Sequence, residues 1–210
     1  MAFYDLSKAE RINAVVKISS GILNELNTDK SKKIAGWFSN DDTYIRKSAY
    51  LAVGRIYSHK KLQSKIIKAL DILLLNHDFK IRQTTINAAG EIGKIHFETV
   101  VHFFDKGMFD DHHAVRNAVR NAVIGSIKKM GEVNPKPVLS WAKQYLHHPD
   151  KEIRREICHG IELRGRKHPE DILPLLQELQ FDKTARVRNT LVHVIGQISY
   201  KKDNVDKDGW

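Results

Sequence analysis

An arginine recurs along the chain at Arg46, Arg82, Arg116, Arg154 and Arg188, with successive spacings of 36, 34, 38 and 34 residues. Each follows a β-branched residue, opens a run of apolar positions at helical spacing, and lies in a copy that starts near an aspartate or proline. The copies read DDTYIRKSAYLAVGRI (Asp41–Ile56), HDFKIRQTTINAAGEI (His77–Ile92), DHHAVRNAVRNAVIGS (Asp111–Ser126), PDKEIRREICHGIELR (Pro149–Arg164) and DKTARVRNTLVHVIGQI (Asp182–Ile198). Such a period is too long for one helix and right for a helix pair, a unit that must stack on its neighbours to bury its apolar face.

Amphipathic segments separate the copies: Lys61–Asn76, Phe97–Met108, Lys136–His147 and Glu170–Leu179. Pro135, Pro137, Pro149 and Pro169 fall at helix boundaries, where a fixed φ and a missing N–H cost least. Strand signals are absent. The pattern predicts an all-α fold, a right-handed α-solenoid of about five helical pairs. Ser7–Leu26 reads as an N-terminal capping helix and Lys30–Phe38 as the first helix of the first pair. Residues 1–200 are expected to form one domain and residues 201–210 a polar C-terminal tail. The period and the D-x-x-[IV]-R turn resemble HEAT repeats over roughly residues 30–200. In that family the second helix of each pair lines the concave surface, and the resemblance implies that the five copies are those inner helices.

Charge narrows the function. With 35 Lys and Arg against 25 Asp and Glu, the net charge is +10, which favours an anionic partner. A single cysteine excludes an intramolecular disulfide, and the N-terminus carries neither the basic nor the apolar part of a secretory signal. Apolar runs such as Ile72–Leu75 are far too short to cross a bilayer. The expectation is a cytoplasmic monomer with no membrane role and no cofactor.

The helical period divides each copy into two faces. Positions −1, +3, +6, +7 and +10 from the repeat arginine form the core stripe, for instance Ile81, Thr85, Ala88, Ala89 and Ile92. The arginines sit at its edge near Asp42, Asp78 and Asp150, which predicts a structural Asp–Arg ladder. The opposite face carries Lys47, Arg55, Asn87, Lys94, Asn117, Asn121, Lys128, Arg155, His159, Arg166, Asn189, His193 and Gln197. A merely solvated face favours Glu and Lys, which are better helix formers than Asn and His. Amides and imidazoles among cations suit contacts to phosphate, sugar and base edges, so these residues are the candidate nucleic-acid-binding set. Gly54, Gly90 and Gly196 border this face and are expected to allow close helix approach.

The segment His148–Ser199 resembles the HEAT-like-repeat DNA alkylation repair superfamily, which includes alkylpurine DNA glycosylases. The resemblance rests on Ile153–Arg155, Gly160, the run Ile172–Leu176 and Val187–Asn189. It implies duplex DNA held on a basic concave face. Where that family carries a catalytic acid just before the glycine, this chain has His159, and a later acidic position corresponds to Gln197. Neither can supply the fixed negative charge that stabilises a sugar cation. Glu156 and Glu91 are the possible substitutes, each read first as a solvated or ion-paired glutamate.

Other chemistry has weaker support. Cys158 and His159 are adjacent, and neighbours on a helix do not face each other, so a thiolate–imidazole pair is not expected. The same argument sets aside metal binding by His112–His113 or His147–His148, which lie at helix-start turns. Trp141 reads as packing, whereas Trp37 could stack on a nucleotide. The leading expectation is a DNA-binding protein of the alkylation-repair type that lacks the usual catalytic carboxylates. The alternative is a non-catalytic scaffold that takes an acidic protein or peptide in its groove.

Overall fold

Helix starts are set by a polar relay that repeats in step with the arginines. Asp42, Asp78 and Asp150 each accept a hydrogen bond from the backbone N–H two residues on, at 2.8 Å, and so satisfy one of the free donors of a helix start. Two residues earlier, Asn40, Asn76 and His148 accept from the N–H of the capping aspartate itself. In the third copy the cap is His112, whose Nδ1 accepts from Ala114 N–H at 3.2 Å, while Asp110 takes the N–H of His112. In the fifth copy Asp182 likewise accepts from Thr184 N–H at 2.8 Å.

A computed structural model describes residues 3–28, 31–130 and 135–207, with side chains for 3–28, 31–122 and 135–200. The helices are α1 (Lys8–Asn27), α2 (Lys32–Phe38), α3 (Thr43–Tyr57), α4 (Gln63–Leu74), α5 (Phe79–Gly93), α6 (Phe97–Met108), α7 (His113–Met130), α8 (Lys136–Gln144), α9 (Lys151–Gly160), α10 (Glu162–Gly165), α11 (Pro169–Gln177) and α12 (Ala185–Lys207). No strand occurs among the described residues. The chain is an all-α solenoid of paired helices.

Contacts group it into two units, Met1–Val119 and Arg120–Trp210. In the first, α1 packs on α2 and α3, α3 on α5, and α5 on α4 and α6. Phe38, Phe97, Phe103 and Phe104 fill its core with Ile22 and Ile86. In the second, α9 lies against α12 and α10 against α11, over a core that includes Val138, Ile153, Ile172 and Val194.

The expected core stripe is buried along α5 and nearly so elsewhere, with instructive exceptions. Ile45 is half-buried, and Ile195 on α12 is 40% exposed. Arg164 occupies a core-stripe position and reaches out to Asp171 at 2.8 Å. Val123 and Ser126 lie outside the described side chains. The helix expected over Pro149–Arg164 is broken at Ile161 into α9 and α10. Helix α12 runs on to Lys207, into the segment expected as a polar tail.

The arginine ladder exists, with different partners from those expected. The aspartates four residues earlier are occupied as caps. Each repeat arginine instead donates from Nη1 to the backbone carbonyl six residues back, for example Arg46 to Asn40 at 2.5 Å and Arg82 to Asn76 at 3.0 Å. Arg116, Arg154 and Arg188 make the same bond. Two of the five also reach forward. Arg82 holds Asp110 through Nε and Nη2 at 2.6 and 2.9 Å, and Arg154 holds Asp182 in the same fork at 2.6 and 3.0 Å.

Close approach at the three +8 glycines is not uniform. A Cβ on Gly54 would stand 2.7 Å from Cβ of Glu91, so α3 and α5 touch there. A Cβ on Gly196 would meet nothing within 4 Å beyond its own helix backbone. Gly90 is buried. Trp37 packs its ring tip over Gly21 of α1, and Trp141 is 4% exposed in the second unit, so both tryptophans are engaged in packing.

Candidate binding face on the second unit

The predicted polar-face residues fall in both units. In the first, Lys47 and Arg55 are exposed on α3, Asn87 is half-buried on α5, and Asn117 is half-buried on α7. Lys94 pairs with Glu91 at 2.6 Å, which makes Glu91 an ion-paired glutamate. In the second unit the structure draws Arg155, His159, Arg166, His193 and Gln197 into one hydrogen-bonded and ion-paired neighbourhood. Asn121 borders it, and Asn189 is exposed on α12. Lys128 lies outside the described side chains.

Three glutamates absent from the predicted set organise this neighbourhood. Arg155 donates from Nε to Glu152 at 2.9 Å and from Nη2 to Glu156. Glu156 is 6% exposed and takes a second guanidinium, Arg120, at 3.4 Å. Arg186 approaches Glu152 at 3.3 Å. Glu162 is held by Arg166, whose other contact is Gln197 Oε1 at 2.8 Å. The pairs Glu152–Arg155 and Glu162–Arg166 stand three and four residues apart on a helical stretch, a spacing visible in the sequence. The Arg120–Glu156 contact spans different helices and has no such signature.

At the centre, the His159 and His193 rings meet edge to face with centroids 5.5 Å apart, and His193 Nε2 lies 3.8 Å from Glu162 Oε2. Donor atoms of His159, Glu162 and His193 all lie within 4.8 Å of one another. A recess of about 230 Å³ opens beside them, lined by Arg120, Asn121, His159, Glu162 and Leu163. Nδ1 of His159 is buried with no hydrogen-bond partner. Burial, followed by the charges of Arg120 and Arg155, holds this imidazole below its ordinary pKa. The neighbouring Cys158 is buried, and its thiol is pushed up to about 12 by burial and then by the charge of Glu162. A thiolate at this position is thereby disfavoured.

The paired histidines elsewhere have structural partners. His112 serves as a helix cap and stacks on Phe79 with centroids 3.7 Å apart. His147 meets Glu178 at 2.8 Å, and His148 Nδ1 accepts from Asp150 N–H at 3.0 Å.

No family model and no curated protein matches the chain. Solved structures do. The MAST/Orbit N-terminal domain superposes with a TM-score of 0.55 at 15% identity, covering 80% of this chain and 82% of that one. Crescerin, which uses a TOG domain array to regulate microtubules in the primary cilium, gives 0.54 at 18% identity over 81% and 77% of the two chains. At this identity the likeness defines the fold alone, a HEAT-like helical-repeat architecture. Among the described residues no helix is long and apolar enough to cross a membrane.

Proposed function

We propose that the protein is a non-catalytic scaffold that takes an acidic protein segment on the polar face of its repeats. The observation that carries this reading is the pairing of Arg120, Arg155, Arg166 and Arg186 with Glu152, Glu156 and Glu162. A duplex presents a phosphate charge about every 1.7 Å and is gripped by a row of uncompensated cations. Glutamates inside the face repel that row of phosphates. A protein segment with scattered carboxylates meets a different balance. The net charge of +10 draws it in at long range, and amides and tethered guanidiniums offer it fixed hydrogen-bond donors.

Affinity capture from a nuclease-treated cytoplasmic lysate tests the reading. A stoichiometric acidic partner should persist after nucleic acid is destroyed, and its loss on nuclease treatment would count against the scaffold. The second reading, duplex DNA held by a protein of the alkylation-repair type, is favoured by the same net charge of +10. It requires duplex affinity that falls steeply with salt, with a log–log slope near −0.9 for each phosphate neutralised, about −4 or steeper for a groove of this kind. On the scaffold reading, anisotropy titrations give a slope shallower than about −2.

A further inference from the structure

We propose that His159, Glu162 and His193 form a site for a divalent transition-metal ion, with Zn²⁺ the best match. The donors are two imidazoles and one carboxylate, with one atom from each within 4.8 Å of the others. They come from three separate elements: the end of α9, the start of α10 and the middle of α12. His159 and Glu162 stand three residues apart across the break at Ile161, which places them on one side of the helical stretch.

The donors, within 4.8 Å of one another, stand somewhat wider than ligands around a small ion and would have to close on it. Zinc–nitrogen and zinc–oxygen bonds of about 2.0–2.2 Å put tetrahedral donors roughly 3.3–3.5 Å apart. His193 Nε2 and Glu162 Oε2 are 3.8 Å apart, too far for a hydrogen bond and close enough for a shared ion to draw together. His193 is largely exposed and has room to make that movement.

The carboxylate is already oriented. Arg166 holds Oε1 of Glu162, and Gln197 holds Arg166 at 2.8 Å, leaving Oε2 turned to His193. Outer partners of this kind fix the ligands of metal sites in place. The buried, unpartnered Nδ1 of His159 marks a polar group whose network is incomplete within the protein. Mixed imidazole and carboxylate donors select zinc and its neighbours over calcium or magnesium, which prefer oxygen shells. Three protein ligands leave a coordination position open, and the recess of about 230 Å³ beside them gives it access.

The site is independent of the scaffold reading, because it is tested without any partner. Zn²⁺ is titrated calorimetrically into the chelator-treated chain, with Co²⁺ absorption as a second probe of tetrahedral ligation. One equivalent should bind at micromolar affinity. His193→Ala and Glu162→Gln should each weaken it about tenfold or more, while His147→Ala leaves it unchanged. His193 is exposed, so its alanine variant should fold, and circular dichroism with a melting curve verifies this. Zinc should raise the melting temperature of the parent chain and not that of His193→Ala. Absence of a saturable single equivalent, or equal zinc affinity in folded His193→Ala, overturns the proposal.

Discussion

At the scale of single residues, the turn before each inner helix is a small device with one variable part. The repeat arginine always ties down the carbonyl six residues back, so its conservation of role needs no ligand. What varies is the residue at that carbonyl: when it is aspartate, as at Asp110 and Asp182, it also receives the fork of the preceding arginine. Arg154 and Asp182 are both nearly buried, and removing one partner of such a pair leaves an uncompensated charge, at a cost of about 3–5 kcal/mol. The hydrogen bonds from Arg154, ahead of the opposing effect of burial, hold the Asp182 carboxyl below its ordinary range. A lowered folded-state pKa adds stability that is present above the unfolded value, about 3.9, and is lost as pH falls through the folded one. Asp182→Asn should therefore be much less stable than the parent at pH 7, with the gap narrowing well below pH 4. Urea midpoints at both pH values measure this, and a constant gap would contradict it. Cys158 gives a second residue-scale expectation. Iodoacetamide at neutral pH should label it only after denaturation, and rapid labelling of the folded chain would refute its burial as an inert thiol.

At the scale of elements, boundaries were legible wherever a physical stop was written into the chain. Phe97–Met108 is a helix with the bounds its amphipathic pattern predicts, and the proline-led helices begin within one residue of where expected. Residues 199–207 contain no glycine or proline to end α12, and polarity alone does not terminate a helix, so α12 runs on into the polar C-terminal segment. The glycines show the same limit from another side. Position +8 is one class in sequence, yet only the structure separates Gly54, pressed against Glu91, from Gly196, where an added Cβ would meet open space. Alanine at Gly54 should cost about 1–3 kcal/mol through overpacking. Alanine at Gly196, inside an open helix, should instead stabilise by about 0.5–1 kcal/mol. Thermal unfolding of the two variants tests the pair, and shifts of the same sign would show that the α3–α5 approach is misplaced.

At the scale of the whole molecule, composition indicated a basic protein but not how its charges are spent. The helical period located Arg155, His159, Arg166, His193 and Gln197 on a common face, and the structure gathers them. The period could not reveal that Arg120 crosses to Glu156, or that Glu162 faces His193, because these contacts join helices about 30 or more residues apart in sequence. Incubation with methylated duplex DNA should release no free alkylpurine, since Glu156 is buried between two arginines and His159 and Gln197 carry no fixed negative charge. Base release that disappears in Glu156→Gln would overturn this.

The forked arginines also imply that the seams of the first unit differ in strength. From the turn before α3 to α5 runs the ion pair Asp41–Lys80, with Asp41 95% exposed, a contact worth little in water. One repeat further on, Arg82 and Asp110 make theirs from side chains 18% and 10% exposed. Spontaneous opening should therefore start at the earlier seam. In native-state hydrogen exchange the amides capped at residues 78–80 should exchange through smaller fluctuations than those at 112–114, so that the unit comes apart from its N-terminal side inward.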